Sequence, residues 1–274
     1  MEKITMSLMI EALTKIEIKA GDTLLVHSSL PDIGLWEGEI KDIPRHCKDA
    51  LFEVIGDEGT LTVPAYFYEY ARKGIPYDIK RSPVSKELGI FSSYIAKLPG
   101  STRSVNPITA IAAVGKNAEY INKDTNPSSY GFDTHWDRLL NLNAKMFILG
   151  TDMRSMTFAH HVEQCMCVPY LYNKLYTTPI YDDGDLIKEH ICAHVRYLDY
   201  DIEYKNRVKF DAKYSEIVEE GYKVKNTELG LGFIRVVNFR TVFDFLADEI
   251  KKNTWFLLEK KPEFVKGKIP YDSI

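Results

Sequence analysis

The run Thr157-Phe-Ala-His160-His161-Val-Glu163-Gln-Cys165-Met-Cys167 gathers two histidines, a glutamate and two cysteines within eleven residues. If the run is helical, His160 and Glu163 stand three residues apart on one face, where a carboxylate can orient an imidazole and favour its protonated form. An imidazole so held suits general-base work near neutral pH. A structural His–Glu pair that caps or braces the helix would use the same two residues, and the local sequence does not separate the two. His160, His161, Cys165 and Cys167 also carry zinc-ligand atoms. Adjacent histidines point to different faces, however, and no second ligand pair follows at a distance, so no metal is expected. A thiol acyl carrier at Cys165 or Cys167 is a third option.

Two further places combine polar groups with positions that a fold tends to expose. His27-Ser28-Ser29-Leu30 follows the apolar run Leu24-Leu-Val26 and leads through Ile33 to Gly34. In an open α/β sheet, ligands bind at the carboxyl ends of strands, and small hydroxyl residues there can approach a pyrophosphate. A plain turn with a capping serine is the simpler alternative. Neither GxGxxG nor a Walker-type Gly-Lys-Ser/Thr is present, so neither nucleotide fingerprint applies. The second place is Arg103-Ser104-Val-Asn106-Pro107, where Arg and Ser could meet phosphate or simply face solvent. Near it in sequence lie Tyr66-Phe-Tyr-Glu-Tyr70 and Tyr77-Asp78. Tyrosine faces can stack on a sugar ring, although alternate members of such a run are expected in the core.

The elements that must position these groups follow from periodicity. An amphipathic helix running to about Ala20 precedes a Gly21-Asp22 turn and the strand Thr23–Val26. Comparable apolar runs occur at Thr60–Val63, Ile108–Val114 and Lys145–Leu149, and continuous runs suit strands buried on both faces. Between the first two, Cys47, Ala50, Leu51, Val54 and Ile55 keep helical spacing, with Asp42 as a cap and Pro44 in the first turn. Past Val168, strands are expected around Thr177–Tyr181, His190–Tyr197 and Phe233–Asn238. Asp182-Asp-Gly184 is a hairpin turn signal, and a helix starts near Thr241. The sum is one α/β domain over residues 1–274, a three-layer α/β/α arrangement with a mixed central sheet and C-terminal hairpin and helix elements.

Composition narrows the function. With 35 Lys+Arg against 39 Asp+Glu the net charge is −4, and no basic run supplies a footprint for nucleic acid. No apolar stretch approaches the roughly 18–20 residues that span a bilayer, and Met1–Ile10 does not read as a signal peptide. Four cysteines form no disulfide framework, so a reducing, cytoplasmic setting is expected. Seventeen Tyr, 13 Phe and 3 Trp leave one open question, whether the aromatic surplus lines a sugar site or fills a core.

Taken together, these segments resemble the aminoglycoside 3-N-acetyltransferase family, acetyl-CoA-dependent enzymes unrelated to the smaller GNAT fold. The resemblance rests on Gly21-Asp-Thr-Leu-Leu-Val-His-Ser-Ser-Leu30 with Gly34, Gly59-Thr-Leu-Thr-Val-Pro64, Arg103-Ser104 with Pro107, and Ala112-Ala-Val-Gly115. Leu140 through Gly150, Thr157-x-x-His160-x-x-Glu163 and Gly230-Leu-Gly232 complete it. It implies acetyl-CoA bound by His27, Ser28, Ser29, Leu30, Ile33, Gly34, Arg103 and Ser104. It further implies a small-molecule amine acceptor, an aminoglycoside or amino sugar, near Tyr66, Asp78, Asn106 and Asp152. His160 would take the amine proton during direct transfer, and Glu163 would support the imidazolium. Two departures stand out: Glu37–Arg45 is longer with one glycine where the family has a Gly-Gly pair, and Asn106-Pro107 replaces His-Pro. With a net charge of only −4, acylation of a nucleotide-linked or polysaccharide amino sugar stays open beside the antibiotic, as does a non-catalytic CoA- or sugar-binding role.

Overall fold

A computed structural model describes residues 3–197, 212–258 and 261–262. In chain order its first half holds α1 (Met6–Lys15), β1 (Thr23–Ser28), α2 (Ile43–Ile55), β2 (Thr60–Pro64), α3 (Tyr68–Lys73), β3 (Tyr77–Asp78), α4 (Gly89–Ile95), β4 (Thr102–Arg103), β5 (Ile111–Gly115), α5 (Ala118–Asn122) and α6 (His135–Asn141). The second half holds β6 (Lys145–Leu149), α7 (Phe158–Cys165), β7 (Leu171–Tyr176), β8 (Ile180–Asp182), β9 (Asp185–Lys188), β10 (Ile191–Arg196), α8 (Ala212–Gly221), β11 (Lys225–Leu229), β12 (Gly232–Asn238) and α9 (Phe239–Lys252).

Seven strands form the central sheet in the order β11-β12-β6-β1-β2-β5-β4. β1 runs parallel to both β2 and β6, and the other pairings are antiparallel, so the sheet is mixed as expected. Side chains alternate across each strand. Leu24, Val26, Phe147 and Leu149 join α1, α2 and α4 in one apolar cluster, whereas Leu25, Met146 and Ile148 join α6, α7 and α9 in the other. Covering both faces explains why β1, β2 and β6 read as unbroken apolar runs. The result is the expected three-layer α/β/α arrangement.

Several boundaries move for local reasons. α1 stops at Lys15, short of Ala20, because Glu17 takes a left-handed φ of 63°. β5 begins at Ile111 and not Ile108, since Asn106 Oδ1 accepts the Ile108 N–H and holds a turn there. Asp42 and Pro44 mark the start of α2, but the Asp42 side chain makes no capping bond. β7 and β11 are additional strands, β7 mostly half-buried and β11 mostly exposed, and so lack an apolar run. The Asp182-Asp-Gly184 turn does close the β8–β9 hairpin, with positive φ at Asp183 and Gly184.

β3, β8 and β9 form a small sheet, and β7 with β10 forms a second. Beneath them Phe67, Tyr70, Tyr77, Tyr176, Ile180 and Ile191 make a satellite core. Much of the aromatic surplus is therefore packing. At the far end, Asn238 Oδ1 accepts from the Arg240 and Thr241 N–H groups and caps α9. Asn238→Ala is expected to lower stability by about 1 kcal/mol, read as a lower urea midpoint with an unchanged slope.

Candidate active site

α7 places His160 and Glu163 on one face, with His160 Nδ1 2.8 Å from Glu163 Oε2. Glu163 is fully buried, while the His160 side chain keeps 31% of its surface exposed and so can be reached. Three further groups hold the carboxylate: Tyr170 Oη donates to Oε1 at 2.9 Å, Arg196 Nε lies 3.0 Å from both oxygens, and an Arg196 terminal nitrogen lies 2.7 Å from Oε1. Burial alone would raise the Glu163 pKa, but Arg196 and His160 outweigh it and bring the group down to about 2. An ionised carboxylate can only accept, so Nδ1 carries the proton and, in the neutral ring, Nε2 is the lone-pair nitrogen. The ring of Tyr130 packs against His160 with centroids 5.6 Å apart. One turn before His160, Thr157 Oγ1 accepts from Tyr66 Oη at 2.9 Å. Burial pushes the Tyr66 phenol up, so it remains a donor.

A cleft of about 440 Å³ opens at the carboxyl end of β1, lined by His27, Ser28, Ser29, Leu30, Pro64, Lys86, Thr151 and Ser155 among others. His27 alternates with Val26 and so lies on the face of Leu25, the face covered by α7. It is 8% exposed, burial lowers its pKa to about 4, and its Nε2 is buried with no hydrogen-bond partner among the described residues. Gly150 lets β6 pass close beside this loop: with φ 72°, a Cβ there would sit 2.4 Å from the Ser29 carbonyl oxygen. Thr151 and Ser155 lead directly into α7, and Pro64 leads to Tyr66. The cleft wall and the His160 face thus share the same two segments of chain.

Half of the remaining expected contacts are structural. Ile33 is fully buried and Gly34 packs against Leu231, so neither lines the cleft. Ser29 lines it, and its hydroxyl donates to Asp32 without capping the turn that follows. Arg103 directs its guanidinium to the carbonyls of Ala65, Ser82 and Pro83 and lies over the Tyr77 ring, bracing the backbone there. Ser104 is fully buried, its hydroxyl accepting from Ile111 N–H. Asn106 is likewise buried, bonding Pro127 O and Ile108 N–H. Asp78 accepts backbone N–H groups of Lys80, Arg81, Asp183 and Gly184; they outweigh the effect of burial, lower its pKa and tie the β3 turn to the β8–β9 hairpin. Of the expected acceptor residues, Tyr66 joins the His160 helix, and Asp152 stands half-buried in the loop between β6 and α7.

Cys165 Sγ lies 3.5 Å from His161 Nε2, and burial pushes its thiol up to about 11, which makes it a poor nucleophile. His161 is turned away from His160 and stacks on Phe158. Among the described residues no three His, Cys, Asp or Glu side chains come together in a metal-binding group, and no helix is long and apolar enough to cross a membrane.

A family profile described as aminoglycoside 3-N-acetyltransferase matches residues 25–251, which takes in both the cleft and the His160 helix. The chain belongs to this family. Within the aminoglycoside 3-N-acetyltransferases, it is 28% identical over 187 residues to aminoglycoside N(3)-acetyltransferase III of Salmonella sp., an alignment spanning 61% of this chain and 62% of that relative's length. The crystal structure of aminoglycoside acetyltransferase AAC(3)-IVa, an apoenzyme, is similar with a TM-score of 0.75 and 25% identity, covering 93% of this chain and 92% of that one. AAC-IIIb, solved as a binary complex with CoASH, shares the fold at a TM-score of 0.74 and 20% identity, covering 92% of this chain and 97% of that one.

Proposed function

We propose that this chain is an acyltransferase that moves an acetyl group from acetyl-CoA to a primary amine of an aminoglycoside or related amino sugar, with His160 as the general base. The observation that carries this reading is the 2.8 Å bond from His160 Nδ1 to an ionised, buried Glu163, on a helix whose leading segment lines the cleft. Two features of the cleft support CoA as its occupant. Its buried His27 Nε2 needs a hydrogen-bond partner, and Lys86 supplies a cation for phosphate. With Glu163 fixing the ring, the amine nitrogen attacks the thioester carbonyl while His160 Nε2 takes its proton; Glu163 supports the imidazolium, the C–S bond breaks, and the imidazolium returns that proton to the departing CoA thiolate. The neutral thiol of Cys165 argues against a covalent acyl-enzyme, and direct transfer needs none.

The surroundings of the ring define the acceptor in chemical terms only: Glu163 is paired with Arg196, Asp78 holds backbone, and Glu69 lies near Ser85. Asp152, in the loop that leads into α7, stands as a further acidic residue on the same segment, so an aminoglycoside and an amino sugar of few charges both fit. Free-thiol release from acetyl-CoA, measured against a panel of aminoglycosides and hexosamines, tests both points. Turnover with at least one amine is expected. Saturable CoA binding with no thiol released by any amine would overturn the transferase reading in favour of a binding protein.

A further inference from the structure

We propose that Arg196 is a positioning residue that keeps His160 free of its second proton at working pH by sharing the negative charge of Glu163; this rests on His160 being the general base. The geometry is that of a clamp. Arg196 Nε lies 3.0 Å from each Glu163 oxygen, its terminal nitrogen 2.7 Å from Oε1, and Tyr170 Oη adds a fourth contact at 2.9 Å, while His160 meets Oε2. Both clamping residues arrive together. Arg196 ends β10 and pairs in register with Leu171 of β7, and the Tyr197 N–H donates to the Tyr170 carbonyl at 2.6 Å.

A buried carboxylate 2.8 Å from an imidazole, with no other counter-charge, would draw a proton onto the ring, and an imidazolium is no base. A guanidinium on the far side of the carboxylate weakens that pull and repels a second cation. Three phenols stand around the pair: Tyr130 against the ring, Tyr66 through Thr157, and Tyr170 on the carboxylate. Burial raises the Tyr66 and Tyr130 phenols, so those two stay uncharged and do not replace the arginine's charge. His161, on the same helix, faces Phe158 and Phe243. Among the groups described around His160, the charged ones are Glu163 and Arg196.

The test compares Arg196→Met and Arg196→Lys with the unaltered protein by two readouts: the pH profile of kcat/KM, and the titration of labelled His160 followed by NMR, assigned by its loss in His160→Gln. In Arg196→Met the acidic limb and the His160 titration are both expected to move up in pH by about 1–2. Turnover at pH 7 then falls by about tenfold or more and recovers as pH rises, and Arg196→Lys titrates close to the unaltered protein. If Arg196→Met does not fold, Glu163→Gln is compared with Glu163→Gln/Arg196→Met, where no unpaired carboxylate is buried. His160 should titrate lower in the variant that keeps the arginine. An unmoved His160 titration in either comparison overturns the proposal, and so does activity lost equally at every pH. A moved titration in a protein that releases no thiol with any amine leaves the role of Arg196 intact and removes the acetyl-transfer reading instead.

Discussion

His160→Ala is expected to lower kcat by about 10²–10⁴-fold while leaving CoA binding close to that of the unaltered protein. The large loss follows from the position of the ring, which is the accessible member of the set that Tyr170, Arg196 and His160 form by each bonding Glu163. The small effect on binding follows from the cleft lining, which does not include His160. Nor should the fold suffer much. Glu163 keeps Arg196 and Tyr170 as partners when the imidazole is gone, so no unpaired charge is left inside. Thiol release under saturating substrates reports the first quantity, and calorimetric titration with CoA reports the second. Turnover like that of the unaltered protein would remove His160 from the chemistry.

Acidification is expected to cost several kcal/mol of stability, beginning well above the carboxylate range. His27, His135 and His161 are held neutral chiefly by burial, with pKa values lowered to about 4, about 3 and about 4 from an ordinary 6.5. Between 6.5 and those values the unfolded chain binds more protons than the folded one. Stability is therefore complete above pH 6.5 and falls as pH drops through the window. A tenfold change in proton affinity is worth about 1.4 kcal/mol, so three such groups together approach the roughly 5–15 kcal/mol that an ordinary domain possesses. Glu163 adds a second loss below pH 4.5, as its carboxyl, lowered to about 2, is forced to protonate. A thermal midpoint that stays flat from pH 7 to pH 4.5 would contradict this account.

The parts of the molecule that could be read from sequence are those where one physical requirement dominates. β1, β2 and β6 are buried on both faces, and their apolar runs announce it; α7 shows His160 and Glu163 at helical spacing, and the 2.8 Å bond is there. Harder to read are polar side chains whose partner is backbone. Arg103, Ser104, Asn106 and Asp78 look like ligand contacts, but each satisfies carbonyl or N–H groups of irregular chain that would otherwise be buried without partners. Arg196 is invisible for the opposite reason. A single arginine closing a strand, 33 residues from Glu163, has no local pattern, and only the pairing of β10 with β7 brings it to the carboxylate. Lys86 and the segment beside it, which form one wall of the cleft, likewise follow no motif.

That strand pair also decides when in its life the molecule becomes competent. β1 must wait for β6 before its central pairing can close, Leu24 meeting Lys145, and β6 in turn waits for β12. Pairings between such distant segments carry a loop-closure entropy that slows them. A nascent chain that has emerged only as far as α7 already carries His160 and Glu163, but the guanidinium is still to be synthesised. During that interval the carboxylate has the imidazole for company and no arginine, the arrangement that favours the protonated ring. The full set of partners around Glu163 is thus assembled late, arriving with β10 and not with α7, which carries His160 and Glu163 themselves.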